Sequence, residues 1–170
     1  MRFVVVNIQT DPGQHYFAKR VMAVVVDKGS VLDCSCRIHY MAQLDYVFLA
    51  DYAAVTGGKL TAIGASFTKV VVPSFPTQLS LYIAGRIRAD HNEGNCPLTL
   101  TVLPPDGSYE IRGDLELEPE AEEPYKENKV GLLFAAGVVI SLPTEGLYAV
   151  QVSLGNEVAR ELKFFAEEEA

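Results

Sequence analysis

The chain has few of the residues from which catalytic and metal sites are commonly built. Its 170 residues include three cysteines, three histidines and no tryptophan. An odd number of cysteines does not fit the disulfide framework of a secreted domain, and without tryptophan the Cys…Trp…Cys set of an antibody domain cannot form. The GxSxG, P-loop, HExxH and GxGxxG patterns are also missing. We therefore expect a protein that is not an enzyme and that needs no cofactor.

Long apolar runs and an excess of positive charge are missing as well. No apolar stretch approaches the roughly 20 residues that a membrane span needs, and the run over residues 3–6 is too short for a secretory signal. The formal net charge is −8, whereas binding to nucleic acid needs a basic surface. We expect a cytoplasmic protein whose partners include neither nucleic acid nor a membrane.

The distribution of charge divides the chain near Met41. Residues 1–40 carry five basic and three acidic side chains, a net charge of +2, which leaves −10 for the other 130 residues. We predict a sandwich domain over residues 41–166 and an acidic tail over residues 167–170. Residues 1–40 form an N-terminal extension, which either contributes two short strands at 3–8 and 21–26 or takes no part in the native fold.

Alternation of apolar and polar side chains is the main structural signal after Met41. Along residues 79–88, leucine and isoleucine alternate with polar side chains, the period of a half-buried strand. Similar short runs recur between turn signals such as Gly57-Gly58. Residues 51–55 could form a short helix, but no amphipathic helix exceeds two turns. The pattern predicts an all-β protein: an antiparallel two-sheet sandwich, immunoglobulin-like, with about eight strands.

Residues 130–142 are apolar on both faces of a predicted strand. Leu133, Ala135 and Val139 share one face, and further apolar residues occupy the other. A strand of this kind is normally covered on both sides. The cover could be a second copy of the chain, the apolar runs of residues 1–40, or another protein. We expect a homodimer or a protein partner here, with Leu133 and Val139 as interaction residues.

A second candidate surface lies on the polar face of the strand predicted over residues 78–90. Tyr82, Arg86 and Arg88 share that face, and their side chains can stack and form charge-assisted hydrogen bonds. We predict them as interaction residues of a non-catalytic binding or protein-interaction module. The alternative interpretation is that they are ordinary solvent-exposed side chains without a binding role. A sandwich could also bind a carbohydrate or a small ligand, a hypothesis that rests on fold analogy alone.

Cys34, Cys36 and His39 form the one metal-like group in the sequence. Thiolate and imidazole are suitable zinc ligands, but a structural zinc site needs four of them. His15 and Cys96 could complete the set only by elimination. We therefore expect no metal site and interpret Cys34 and Cys36 as ordinary reduced thiols.

His91 belongs to the main rival hypothesis, a metal-dependent hydrolase that combines it with Cys34, Cys36 and His39. His91 could also act with Asp106 in acid–base chemistry. We interpret it instead as part of a polar turn at the end of a strand. The six acidic residues within positions 114–123 could suggest calcium, but their alternation favours a solvated strand face.

Five short patterns in a fixed order connect the chain with a known group of proteins. They are LADYA at 49–53, GGKL at 57–60, the Ile63-Gly64 step, the Phe75-Pro76 pair and GLYAVQV at 146–152. In this order they resemble an uncharacterised family of small bacterial β-sandwich proteins, a domain of unknown function, over about residues 44–165. The resemblance implies a sandwich fold, supplies no reaction and no catalytic residues, and supports a domain start near Met41.

Overall fold

The computed structural model describes residues 42–170, and these residues form ten β-strands. A 3₁₀ turn at Pro119–Ala121 is the one helical element in this part of the chain. The predicted all-β fold is therefore confirmed, and residues 51–55 do not form a helix. The strands are β1 (Gln43–Ala50), β2 (Tyr52–Thr56), β3 (Lys59–Ile63), β4 (Lys69–Val72), β5 (Thr77–Asp90), β6 (Cys96–Leu103), β7 (Ile111–Leu117), β8 (Lys129–Leu142), β9 (Gly146–Leu154) and β10 (Glu157–Glu168).

Two packed sheets build the domain. The three-stranded sheet has the order β1-β5-β8, the five-stranded sheet has the order β4-β10-β9-β6-β7, and β2 and β3 form a separate hairpin. Neighbouring strands are antiparallel except for β4 and β10, which run parallel. The order β1-β5-β8 matches strands A-B-E of an immunoglobulin-type sandwich, and β10-β9-β6-β7 matches strands G-F-C-C′, with β4 added at the edge beside β10. The predicted architecture is therefore confirmed, with about two more strands.

Alternating side chains of both sheets form the main core. Leu81, Ile83 and Ile87 of β5 are fully buried, as are Leu98 and Val102 of β6 across the sandwich. Because successive side chains on a strand point to opposite faces, every second residue enters the core. Burial of each such side chain stabilises the fold by roughly 1.5–3 kcal/mol.

Tyr148 at the start of β9 ties the core to the preceding turn. Its ring is fully buried and stacks on Phe164 of β10, with ring centroids 5.3 Å apart. Its hydroxyl group donates a hydrogen bond to the carbonyl oxygen of Thr144 at 2.8 Å. A buried tyrosine bonded to the backbone a few residues upstream is the tyrosine corner of immunoglobulin-like sandwiches.

The β2–β3 hairpin folds over the outer face of the three-stranded sheet. Gly57 and Gly58 at its tip have φ values of +56° and +69°, the left-handed conformation that a two-residue hairpin turn requires. Ala53 of the hairpin packs against Ala84 and Ala135 of the sheet in a small second core. Alanine side chains are short, so the hairpin backbone lies close to the sheet.

This hairpin covers β8 and was not among the three covers predicted from the sequence. The strand is apolar on both faces as predicted, but Ala135 is buried beneath the hairpin of its own chain. Ala135 is therefore covered without a second copy of the chain, the apolar runs of residues 1–40 or another protein. Leu133 is half-buried, and Val139 remains 42% exposed. The open part of the outer face is therefore limited to the two ends of the strand.

The structure describes the carboxyl end of the predicted domain but not the extension that precedes the domain. The extension over residues 1–40, with its two possible strands and with Cys34, Cys36 and His39, lies outside the described residues. At the carboxyl end β10 continues to Glu168, so two residues that were assigned to the acidic tail are paired in a sheet. No helix in residues 42–170 is both long enough and apolar enough to cross a membrane.

Candidate interaction surface

The end of the three-stranded sheet that the hairpin leaves open carries a cluster of aromatic and basic side chains. We call it the arginine–tyrosine patch and define it by Tyr46, Arg86, Arg88, Tyr125 and Leu133. Pairing places Tyr46 opposite Arg86, and Arg86 opposite Leu133, so that one row crosses all three strands. Tyr46 is 40% exposed and Tyr125 is 57% exposed, which leaves both rings accessible to a partner.

Strand periodicity directs these side chains outward. The residues between them on β5, including Ile87, point into the main core, so Arg86 and Arg88 must point away from it. Tyr46 is held by Phe48, whose ring stacks parallel to it at a centroid distance of 6.2 Å. Phe48 in turn packs against the second core. Tyr46 is therefore connected through Phe48 to the second core.

A bulge in β1 brings one carboxylate to both arginines. The pairing register shifts between Leu44 and Tyr46, which leaves Asp45 as the extra residue. Its carboxylate oxygens lie 3.5 Å from Arg86 Nε and 3.5 Å from Arg88 Nη2. Two guanidinium groups thus share a single carboxylate, and the cluster keeps one excess positive charge in a protein whose net charge is −8.

Further contacts fix the orientation of the two guanidinium groups. Arg88 donates a hydrogen bond from Nη2 to Gln43 Oε1 at 2.9 Å. Arg86 places its Cζ atom 5.6 Å from the ring centroid of Tyr125, within the range of a cation–π contact. Because each guanidinium has five N–H donors, these contacts leave donors on both arginines for a partner.

The five interaction residues predicted from the sequence do not form a single surface. Arg86, Arg88 and Leu133 meet in the patch. Tyr82 instead lies at the edge of the second core, with its ring 5.2 Å from that of Tyr52 on the hairpin, and it holds the hairpin in place. Val139 is six residues from Leu133 along β8, a separation of about 20 Å at the rise of a strand.

Two aromatic members of the patch and its carboxylate were not predicted as site residues. The alternation in β1 indicated a strand containing Tyr46, but only the pairing with β5 shows that it lies beside Arg86. Asp45 reaches the arginines because of a bulge, for which the sequence contains no clear signal. Tyr125 belongs to an acidic loop, where nothing in the local pattern distinguishes it from a solvent-exposed tyrosine.

The candidate catalytic residues of the described chain are not brought together. His91 and Asp106 lie in the turns at opposite ends of β6, which separates them by about 25 Å. His91 Nδ1 is buried and has no hydrogen-bond partner among residues 42–170, whereas the imidazole of a general base is oriented by a second group.

Neither the acidic segment nor Cys96 forms a metal site in the described residues. No group of three or more His, Cys, Asp or Glu side chains in residues 42–170 could hold a metal ion. Asp114 is instead bonded to Arg112 at 3.2 Å and accepts a hydrogen bond from Thr99 Oγ1 at 2.6 Å. Burial of Cys96, together with the nearby Glu93 carboxylate, raises the pKa of its thiol to about 11.

Comparison with known proteins identifies a family, and 13 chains of solved structures also match. A family of unknown function (DUF6941) matches residues 45–167, which confirms the resemblance predicted from the five motifs. Among solved structures, the chain is similar to an immunoglobulin-like protein from Pseudomonas aeruginosa, with 15% sequence identity and a TM-score of 0.41. That similarity covers 76% of this chain and 98% of the other. A comparison with curated proteins found no match.

Proposed function

We propose that this chain, which belongs to the family of unknown function DUF6941, acts as a non-catalytic protein-interaction module. The arginine–tyrosine patch is the observation that carries the proposal. Tyrosine and arginine dominate the residues that contribute most to binding energy at protein interfaces. Here they lie side by side on a sheet face, partly exposed, where the β2–β3 hairpin does not reach.

Contacts within the chain already position both arginines of the patch. Asp45 and Gln43 hold Arg88, while Asp45 and the Tyr125 ring hold Arg86. Fixing a long side chain at an interface otherwise costs about 0.5–1.5 kcal/mol. A partner that binds here avoids much of that cost, which favours a specific contact over incidental surface charge.

The charge of the patch indicates the chemistry of the partner. Two guanidinium groups face a single carboxylate, and free N–H donors of arginine bind carboxylates in pairs. The exposed rings of Tyr46 and Tyr125 add apolar area beside these donors. The preferred partner is therefore a protein segment with an acidic side chain next to apolar ones.

The test compares capture of proteins from the native cell by matched variants. The full chain is immobilised as wild type, as the patch variant Arg86→Gln/Arg88→Gln, and as a control, Lys59→Gln/Arg112→Gln, that loses the same charge elsewhere. We expect a defined protein to bind the wild type and the control but not the patch variant. Equal capture by all three would refute the proposal. If the wild type bound to a glycan array and the patch variant did not, the result would instead indicate a carbohydrate ligand.

Metal analysis separates this proposal from the hydrolase hypothesis. The purified full chain is analysed for zinc, with a Cys34→Ser/Cys36→Ser variant beside it. We expect no stoichiometric zinc in either protein. Stoichiometric zinc that disappears in the variant would favour a metal site at Cys34, Cys36 and His39 and would overturn the non-catalytic assignment.

A further inference from the structure

The segment that joins β7 to β8 is strongly acidic, and we call residues 118–124 the acidic loop. The loop contains four glutamates and no basic residue. Three of these glutamates, Glu118, Glu120 and Glu123, are exposed, and their side chains form no ion pair within residues 42–170. Their negative charge is therefore available to a partner.

Contacts with the rest of the domain hold the acidic loop beside β8. The backbone N–H of Ala121 donates a hydrogen bond to the Glu118 carbonyl oxygen at 3.2 Å, and that of Glu122 donates to the Pro119 carbonyl oxygen at 3.1 Å. Pro119 is buried, and this 3₁₀ turn packs against β8. The exposed glutamates are thus attached to an anchored turn.

The acidic loop is continuous with the arginine–tyrosine patch. Tyr125 directly follows the loop, and its backbone N–H donates a hydrogen bond to the carbonyl oxygen of Lys129 at 3.0 Å. Its ring lies 5.6 Å from Arg86 Cζ. Glu123 is two residues away, so its Cα atom lies within about 7 Å of that of Tyr125. A negative surface and a positive surface therefore lie side by side on one chain.

The arginines of the patch can still bind a carboxylate from outside. The carboxylate oxygens of Asp45 lie 3.5 Å from Arg86 Nε and 3.5 Å from Arg88 Nη2, longer than the usual N–H···O hydrogen bond of about 2.7–3.2 Å. One carboxylate also serves two guanidinium groups. Arginine binds a further carboxylate through paired N–H donors, and both side chains retain such donors.

A second copy of the same chain fits these two neighbouring surfaces. In a two-fold symmetric contact, a residue that meets another residue of the partner copy is itself repeated on the partner. An axis near Tyr125 would set the acidic loop of each copy on the patch of the other. An unrelated acidic segment on the patch would instead lie beside the acidic loop and be repelled by it. A second copy removes this repulsion, because it supplies a patch for that loop.

We propose that two copies of the chain associate through reciprocal contacts between the arginine–tyrosine patch of one and the acidic loop of the other. The inference rests on the proposed binding role of the patch and identifies its partner as a second copy. Exposed, mostly charged surfaces suit a weak interface, the class that buries less than about 1,200 Å² in total. The association should therefore depend on protein concentration and weaken as salt screens the charges.

Charge reversal tests the reciprocal contact by sedimentation equilibrium of the full chain. The patch variant is Arg86→Glu/Arg88→Glu, and the loop variant is Glu120→Lys/Glu123→Lys. Neither should associate with itself, because like charges then meet at both contacts. An equimolar mixture should restore the dimer, because each heterodimer joins the reversed patch to the reversed loop and the native loop to the native patch. Far-UV circular dichroism and thermal melting establish that each variant keeps the fold.

The loop variant also separates a local contact from the effect of net charge. Each replacement adds two charge units, so the net charge of −8 becomes −4, and weaker overall repulsion alone would tighten the association. Glu145→Lys/Glu157→Lys is the matched control, with the same change of charge at exposed positions outside the loop and the patch. The control should associate at least as tightly as the wild type.

We expect the dissociation constant of the wild-type dimer to rise at least about tenfold in each reversed variant alone, equivalent to about 1.4 kcal/mol, and to recover in the mixture. If the patch variant does not fold, Arg86→Gln/Arg88→Gln replaces it, and the loop variant decides by the direction of its change. A loop variant that associates as tightly as the control would overturn the inference. So would a wild type that is monomeric at high concentration. If the loop variant, whose patch is intact, then captured another protein, the proposed function would stand without the dimer.

Discussion

Arg86 lies across the backbone of Gly131 on the neighbouring strand. A Cβ atom at Gly131 would come within 2.6 Å of Arg86 Nε and 2.7 Å of its Nη2. The guanidinium therefore occupies space that any other residue at position 131 would fill. This relationship connects a residue without a side chain to the geometry of the patch, because the same guanidinium contacts both Asp45 and Tyr125.

Replacement of Gly131 by alanine should disturb the patch without unfolding the domain. The methyl group meets the end of a flexible side chain, which can move away, so the melting temperature should change by only a few degrees. Arg86 should lose its contacts with Asp45 and Tyr125, and partner capture should fall several-fold. Gly113→Ala is the control, because a Cβ there meets nothing within 4 Å. Unchanged capture by Gly131→Ala would show that the position of Arg86 does not matter.

A charge beneath the hairpin should expose the outer face of β8. Ala53 is 1% exposed between the hairpin and the sheet, and a buried carboxylate without a partner is strongly unfavourable. Ala53→Asp should lower the free energy of unfolding by roughly 2–4 kcal/mol and should increase binding of a dye specific for apolar surface. Both are measured by urea titration and fluorescence. Ala65→Asp, at an exposed position, should leave both unchanged; similar effects in the two variants would argue against the hairpin as a cover.

Stability should decrease at alkaline pH because of Tyr109. Its hydroxyl donates a hydrogen bond to the Ser141 carbonyl oxygen, and burial, with smaller effects of Tyr148 and Asp106, raises its pKa above the ordinary value of 10.0. Below about pH 10 both the folded and unfolded states keep the proton. Above it only the unfolded state ionises, so the free energy of unfolding falls as pH rises, by at most about 1.4 kcal/mol per pH unit for one group.

Urea unfolding of Tyr109→Phe at about pH 8 and about pH 11 tests this linkage. Near neutral pH the free energy of unfolding of the variant should be about 1 kcal/mol lower, because one hydrogen bond is removed. Its free energy of unfolding should also depend less on pH than that of the wild type does. A weaker dependence should remain, since burial also raises the pKa of Tyr148. Tyr125→Phe, which removes an exposed phenol, is the control. Equal slopes for the wild type and Tyr109→Phe would contradict the assignment.

Cys96 should be almost inert to thiol reagents in the folded protein. Burial and the nearby Glu93 carboxylate raise the pKa of its thiol from 9.0 to about 11, which reduces the reactive thiolate about a hundredfold near pH 8. The measurement uses a Cys34→Ser/Cys36→Ser variant, in which Cys96 is the remaining thiol. An aromatic disulfide should react at least about a hundredfold faster in denaturant. Equal rates in the two states would show that the thiol is not buried and that its pKa is not raised.

The sequence by itself determined the fold class and most strand positions. The period of two along residues 79–88 and the double-sided apolar run over residues 130–142 correspond to β5 and β8. Gly57-Gly58 supplied the turn of the β2–β3 hairpin. These features could be predicted because alternation and positive φ are local: each depends on residues within one strand or one turn.

Only the tertiary structure decided what covers β8 and which side chains form the patch. Tyr46 and Arg86 are 40 residues apart in sequence and become neighbours through the pairing register of β1 with β5. A one-residue slip of that register would turn one strand's side chains to the opposite face, and the bulge at Asp45 is such a local shift. The hairpin could have joined either sheet by its pattern alone. It lies over β8 because small residues on both surfaces allow close packing, a match between distant segments that no local pattern encodes.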